Sequence, residues 1–129
     1  MRGTQVVLHP LVRDTAETIA ELRREAAFAV ARQQRLRELL SPAQARADAI
    51  EDEARRALAR GEDLLARQVL ARGLCALETR RQLEGELAEA RRHLARLLAA
   101  LVRAENRAWG LRQSIDMPYH SRFGAKAAS

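Results

Sequence analysis

The most reactive side chains in this sequence are one thiol and three imidazoles. Cys75 is the only cysteine, and the histidines are His9, His93 and His120. A catalytic thiol needs a base beside it, and a metal site needs several His, Cys or carboxylate ligands at short regular spacings. The sequence offers no such spacing. We therefore expect no metal, no cofactor and no enzymatic activity, and interpret Cys75 as a small apolar packing residue.

The acidic residues and the glycines show no catalytic pattern either. Glu51, Asp52 and Glu53 are adjacent, and on a helix they point in different directions, which is typical of a solvated face rather than of an acid–base pair. The glycines are isolated from one another, so the sequence contains no glycine-rich loop that could cradle a phosphate. The remaining patterns in the sequence indicate helices.

Composition favours an all-α protein. Aromatic residues make up 3% of the 129 residues, while Ala, Leu, Arg and Glu dominate, and these residue types lose little rotamer freedom in helices. The net charge of +6 comes almost entirely from arginine, with Lys126 as the only lysine, and is therefore weak evidence for a nucleic-acid partner. No secretory segment and no run of 18 apolar residues is present, so we expect a cytoplasmic protein.

The first half of the chain carries a sustained helical seam. Apolar residues alternate at steps of three and four, which predicts a helix that packs along a narrow stripe against another helix. Only Thr15 and Gln33 interrupt it. The positions are Val12, Thr15, Ile19, Leu22, Ala26, Ala29, Gln33, Leu36, Leu40, Ala43, Ala47, Ile50, Ala54 and Ala57.

The Ser41-Pro42 pair leaves two interpretations of this half open. Ser followed by Pro is a good start signal and would divide the half into two helices. The seam nevertheless keeps its phase across the pair, whereas a loop would normally shift it. We favour one continuous helix kinked at Pro42.

The second half has a seam of the same kind. Its positions are Leu83, Leu87, Ala90, Leu94, Leu97, Leu101, Ala104, Ala108 and Leu111. Nearer the middle of the chain the pattern predicts a broader apolar stripe. That stripe comprises Leu64, Leu65, Val69, Leu70, Leu74 and Leu77.

Gly61 lies where the two seams mirror each other, and we expect the chain to fold back there. Residues equidistant from this point then face one another across an antiparallel coiled-coil hairpin, for example Leu22 with Leu101, Leu36 with Leu87 and Ala29 with Leu94. Glycine suits the left-handed position that ends a helix, Arg60 lies at the negative carbonyl end of the first helix, and Glu62 and Asp63 lie at the positive amide end of the next. The alternative is a single uninterrupted helix that tolerates the glycine.

This hairpin has predicted bounds and a predicted role for its seam. We expect a flexible leader over 1–10, arms of about 11–60 and 62–112 within a hairpin over 11–113, and a flexible basic and aromatic tail over 114–129. The pairing places Gly73 opposite Ile50, which predicts a close backbone approach there. The leucines assigned to the seam and to assembly are Leu22, Leu36, Leu40, Leu87, Leu94, Leu97 and Leu101.

The turn resembles that of the phage-shock protein A family, which includes the plastid vesicle-inducing proteins and is related to ESCRT-III. The family's turn has Ala-Leu, a variable pair, a Gly or charged residue, an acidic pair and Leu-Ala-Arg. This sequence has ALARGEDLLAR at residues 57–67, with Gly61 and the acidic pair Glu62-Asp63 in those places. The resemblance covers roughly residues 14–112.

This resemblance implies a function as well as a fold. Such hairpins assemble with copies of themselves or with relatives, support the cytoplasmic face of a stressed membrane, and in some members restrain an AAA+ transcription activator. Two departures concern the ends. Pro10 interrupts the leader where the family has a lipid-inserting helix, and few residues follow Trp109-Gly110 where the family continues into further helices, so we expect a short form that is mainly the hairpin.

Charge is concentrated at the open end of the expected hairpin. Residues 1–86 hold 15 basic and 14 acidic residues, whereas residues 87–129 hold 8 basic and 3 acidic ones. Basic residues interleaved with aromatics suit an anionic lipid surface. A solvated helix face with a disordered tail is the alternative, and binding of single-stranded nucleic acid is less favoured because the rigid part lacks an aromatic platform. The residues concerned are Arg103, Arg107, Trp109, Arg112, Tyr119, Arg122, Phe123 and Lys126.

A second set of apolar residues lies outside the seam, where one partner helix cannot cover it. Exposed apolar strips of this kind usually mark an interaction surface. We expect assembly with another copy or a related hairpin; a soluble adaptor that binds a full-length family member or an AAA+ activator without touching lipid is the alternative, and no small-molecule ligand is indicated. The set comprises Leu11, Phe28, Val30, Leu39, Leu70, Leu74, Leu77 and Leu98.

Overall fold

The protein is an all-α helical hairpin in a computed structural model that describes the backbone of residues 2–128 and the side chains of residues 10–114. Helix α1 spans Arg2–Ala59, α2 spans Asp63–Arg72 and α3 spans Leu74–Ala128. The side chains of the predicted leader and tail lie, apart from those of Pro10 and Ser114, outside the described residues. Their flexibility stays a prediction.

The chain divides into two compact units, which we describe separately. Residues 29–93 form the turn unit, which holds the C-terminal half of α1, all of α2 and the start of α3. Residues 1–28 and 94–129 form the terminal unit, which holds the beginning of α1 and the remainder of α3.

The turn lies at Gly61, as the sequence predicts. Gly61 has a φ of +75°, in the left-handed region where a side chain is strained. The amide of Gly61 donates to the carbonyl of Leu58 at 3.0 Å, and the amide of Glu62 donates to the carbonyl of Ala57 at 2.9 Å. This pair of bonds is the Schellman arrangement, which satisfies the last carbonyls of α1 and reverses the chain.

The predicted seam of α1 is confirmed. Every seam position from Val12 to Ala57 is buried or half-buried, and nearly all other side chains of α1 from Pro10 onward are exposed. The helix continues through Ser41-Pro42, so the two-helix alternative is wrong. Pro42 lies on the exposed side of α1, where water can satisfy the Glu38 carbonyl that has no amide partner at position 42. The kink itself stays a prediction.

Leucines form the core of the turn unit at the end away from the turn. Leu36, Leu87 and Ala90 are buried there, and Leu40 and Leu83 pack against them. Leu36 and Leu87 are equidistant from the turn, and so are Leu40 and Leu83. The expected pairing is therefore observed.

Nearer the turn the helices approach through small residues, which corrects the predicted leucine stripe. Ala66, Val69 and Gly73 are buried, whereas Leu64, Leu70 and Leu74 are exposed. The step of three and four that governs the rest of α3 continues into α2, and it selects these small residues instead of their larger neighbours. The prediction is confirmed for Val69, which is buried, and for Leu65 and Leu77, which are half-buried, and it is wrong for the three exposed leucines.

Gly73 separates α2 from α3, where the sequence predicts one uninterrupted arm. Its φ of −94° and ψ of 7° depart from helical values, yet its amide still bonds to Val69 and its carbonyl accepts from Leu77. A Cβ at this position would lie 2.5 Å from both Cδ1 and Cγ2 of Ile50. The expected close approach of Gly73 to Ile50 is thus confirmed.

In the terminal unit the beginning of α1 runs beside α3. Ala26, Leu97 and Ala104 are buried between the two helices. An ion pair of 3.4 Å joins Arg23 of α1 to Glu105 of α3 at the edge of this seam. Thr15, a polar seam position, donates its hydroxyl proton to the carbonyl of Leu11 at 2.7 Å, so its polar atom is satisfied within α1.

Candidate functional site

The four predicted turn residues form a compact and exposed polar surface. Arg60 and Glu62 form an ion pair of 2.8 Å on either side of Gly61. The Glu62 side chain makes no hydrogen bond that caps α2, and Asp63 supplies the negative charge in the first turn of that helix. The turn is shaped by backbone hydrogen bonds, while its side chains remain open to solvent.

The leucines that the sequence assigns to the seam and to assembly all face the inside of their own unit. Each is buried or half-buried: Leu22, Leu36, Leu40, Leu87, Leu94, Leu97 and Leu101. Their apolar surface is therefore used in packing one helix on another. A surface for other molecules has to be sought among the exposed residues.

Arg80 occupies a seam position of the turn unit, and the sequence pattern did not single it out. Its guanidinium donates to Glu51 and, at 3.1 Å, to Asp48, both on α1. Glu84, one turn further along α3, lies 3.9 Å away. The hydrogen bond that the Arg80 guanidinium donates to Glu51 raises the pKa of Arg80, so the positive charge is held firmly between three carboxylates.

Exposed leucines surround the turn on both arms. Leu58 lies near the end of α1, Leu64 at the start of α2, and Leu70 and Leu74 on either side of the break at Gly73. Leu64 is 69% exposed. Leu77, which belongs with Leu70 and Leu74 to the second set of apolar residues predicted from the sequence, is half-buried. Four large apolar side chains thus remain in contact with water near the turn.

The terminal unit carries a second exposed apolar group on α3. Leu98, Val102 and Trp109 follow one another at steps of four and seven, which places them on one side of the helix. All three are exposed, and Trp109 is 63% exposed. Glu105 lies in the same row and pairs with Arg23 of α1. We call Leu98, Val102 and Trp109 the α3 stripe.

Three predicted anionic-surface residues lie close to the α3 stripe in sequence. Arg103, Arg107 and Arg112 are exposed, and none of them forms an ion pair with another described residue. Their charges are therefore open to an outside partner. Trp109 of the α3 stripe is a fourth predicted contact and is exposed as well. The remaining four predicted contacts lie outside the residues whose side chains are described: Tyr119, Arg122, Phe123 and Lys126.

Two of the four reactive side chains, Cys75 and His93, lie in the described part of the chain, and those of His9 and His120 lie outside it. Cys75 is exposed rather than packed, which corrects the interpretation of it as a packing residue. His93 is exposed as well. Among residues 10–114 the structure brings together no group of three His, Cys, Asp or Glu that could hold a metal ion. Within the same range, no helix is long and apolar enough to cross a membrane.

Comparison with known proteins bears on the whole chain. A search of curated proteins found no match. The model of the PspA/IM30 family, by contrast, matches residues 1–123, in agreement with the resemblance seen at the turn. Because this match covers most of the 129 residues and the helical hairpin is the fold that the resemblance implies, the chain belongs to the PspA/IM30 family.

Proposed function

We propose that this protein acts by assembling with copies of itself or with related hairpins at the cytoplasmic face of a membrane under stress. In this proposal the protein is not an enzyme, and it binds its partners through the exposed faces of its helices. Membership of the PspA/IM30 family supports the general role. The structure supports the proposal through one observation, which is the set of large apolar side chains left exposed.

The α3 stripe is the part of that set best suited to an interface. Leu98, Val102 and Trp109 lie on one side of one helix, and the seam residues Leu97 and Ala104 are already used by α1. Interfaces concentrate their binding energy in a few large side chains, among which Trp is over-represented. A further helix laid along this side would remove the stripe from water.

Lipid contact is the secondary part of the proposal. Arg103, Arg107 and Arg112 offer three exposed charges without ion-pair partners among the described residues. Each basic residue near an anionic membrane contributes about 1 kcal/mol, and salt screens that attraction beyond about 8 Å at physiological strength. We therefore expect membrane association to be weak and sensitive to salt.

Sedimentation of matched leucine variants tests the assembly. Leu98 and Leu11 are both 46% exposed and both belong to the terminal unit, but only Leu98 is part of the α3 stripe. At micromolar concentration the wild-type protein should sediment as more than a monomer. Leu98→Glu should shift it toward smaller species, because it brings a charge into the interface, while Leu11→Glu should leave it unchanged. A wild-type monomer, or equal effects of the two variants, would contradict the proposal.

Flotation with vesicles separates this proposal from the adaptor alternative. Anionic vesicles should carry the protein at low salt and release it as salt rises, and replacing Arg103 and Arg107 by Gln should weaken flotation. Assembly without any flotation at low salt would instead support a soluble adaptor that binds a full-length family member or an AAA+ activator. Flotation that is insensitive to salt would contradict the electrostatic mechanism.

A further inference from the structure

The turn unit has a groove along its seam that is lined by residues of both arms. The groove has a volume of about 320 Å³. Its floor consists of Ala43, Ile50, Gly73 and Ala76, which are seam residues. Three of these four have a small side chain or none, so the two helices leave a depression where larger residues would have filled the space.

Two arginines from opposite arms line this groove. Arg46 comes from α1 and Arg72 from the last turn of α2. Neither guanidinium forms an ion pair or a hydrogen bond with another described residue. Elsewhere in this unit Arg55 pairs with Glu51 and Asp52, and Arg80 pairs with Asp48, Glu51 and Glu84. The groove is therefore lined by two arginines that have no carboxylate partner among the described residues.

Such an arrangement has the chemistry of a small-molecule anion site. Arginine is suited to phosphate and carboxylate because its planar guanidinium can donate two parallel hydrogen bonds. Ligand pockets typically begin at about 300 Å³ and combine an apolar lining with a few polar groups that orient the ligand. Arg46 and Arg72 would supply those groups, and the floor would cover an apolar portion about the size of a short alkyl chain.

We propose that this groove binds a small organic phosphate with a short apolar substituent. The phosphate lies between Arg46 and Arg72, and the substituent lies on Ala43, Ile50 and Ala76. The site is separate from the α3 stripe, which belongs to the terminal unit. Binding here and the assembly proposed above therefore involve different residues.

Cys75 and Thr79 line the same groove, and Cys75 provides a probe for it. The thiol is exposed, and it is the only one in the chain. A ligand over the groove should slow its modification by a neutral maleimide. Thr79 donates its hydroxyl proton to the carbonyl of Cys75 at 2.8 Å, so that proton is not available to a ligand.

The test uses n-octyl phosphate below its micelle concentration with the full-length protein. Calorimetry should show saturable binding of one molecule per chain, and the same concentrations should protect Cys75 from the maleimide. Arg46→Gln and Arg72→Gln should each weaken binding roughly tenfold, as expected for the loss of one charge-assisted contact. Arg81→Gln is the matched control, because Arg81 is an exposed arginine of the same unit that does not line the groove.

Competitors identify the source of the phosphate. Displacement of octyl phosphate by inorganic phosphate would support a free phosphate compound as the ligand, and displacement by anionic vesicles would support a lipid headgroup. Equal binding of octyltrimethylammonium would overturn the proposal, because the arginines would then play no part. Absence of binding by octyl phosphate would overturn it too, as would equal affinities in the Arg46→Gln, Arg72→Gln and Arg81→Gln variants.

Discussion

Replacing Gly73 by alanine tests the close approach of the two arms directly. Alanine is the better helix former by about 1 kcal/mol, so on propensity alone the substitution should stabilise the protein. The backbone conformation allows an alanine, because φ at Gly73 is −94° and any residue can adopt that value. The new Cβ, however, would lie 2.5 Å from Cδ1 and Cγ2 of Ile50 and 2.9 Å from Cγ1.

The size of the loss in stability depends on how far the side chain of Ile50 can move away from the new methyl group. Its terminal Cδ1 can rotate away, but Cγ1 and Cγ2 both branch from Cβ and are held by one preferred rotamer in a helix. Forcing a methyl group into such a contact typically costs about 1–3 kcal/mol. After the gain in propensity of about 1 kcal/mol, Gly73→Ala should lower the free energy of unfolding by roughly 1 kcal/mol.

Gly85 supplies the control for this prediction. It lies within α3 with nothing within 4 Å of an added Cβ, so Gly85→Ala should gain stability where Gly73→Ala loses it. Urea denaturation followed by circular dichroism measures both, and the two variants should differ by about 2 kcal/mol. In the Ile50→Ala background, Gly73→Ala should become neutral or stabilising. If Gly73→Ala stabilises the otherwise wild-type protein as much as Gly85→Ala does, the steric argument is wrong.

Three further predictions concern other parts of the fold and use the same denaturation assay. Leu36→Ala should cost about 2–5 kcal/mol and Leu39→Ala less than about 0.5 kcal/mol, because Leu36 is 6% exposed and Leu39 is 49% exposed; equal costs would mean that the seam is misplaced. Gly61→Ala should cost about 1–2 kcal/mol through its positive φ alone, since nothing lies within 4 Å of the added methyl group, and Gly61→Asn should cost less. Arg80→Met should reduce the dependence of stability on salt, and an unchanged dependence would show that its ion pairs with Asp48 and Glu51 contribute nothing in solution.

The fold could be predicted because its main determinants repeat along the sequence. A step of three and four recurs through both arms, so each residue's side of the helix can be counted without knowing what it touches. The turn could be found because Gly61 combines left-handed backbone freedom with charges that suit both helix ends. Even the contact between Gly73 and Ile50 follows from equal distance to the turn.

What the sequence could not predict depends on side-chain size and on the other arm. The stripe near the turn was predicted too broad because leucine was given more weight than alanine, whereas the actual seam runs through Ala66, Val69 and Gly73. The cluster around Arg80 joins this residue to Glu51 and Asp48, which are 29 and 32 positions away in the chain. An arginine at a seam position also interrupts the apolar pattern instead of marking a contact. That Arg46 and Arg72 line the same groove also depends on how the two arms pack, which the sequence pattern does not show.

Small residues in the seam connect the fold to the proposed functions. Where the seam is built from leucines, as around Leu36 and Leu87, the two arms pack their largest apolar side chains against each other. Where it is built from residues such as Ala66 and Gly73, the arms approach closely, and the large side chains of that region, Leu70 and Leu74 among them, must face outward. Small seam residues, Ala43 and Ala76 among them, likewise leave the space of the groove that Arg46 lines. A hairpin with leucine throughout its seam would be better filled, but it would leave less apolar surface for another molecule to bind.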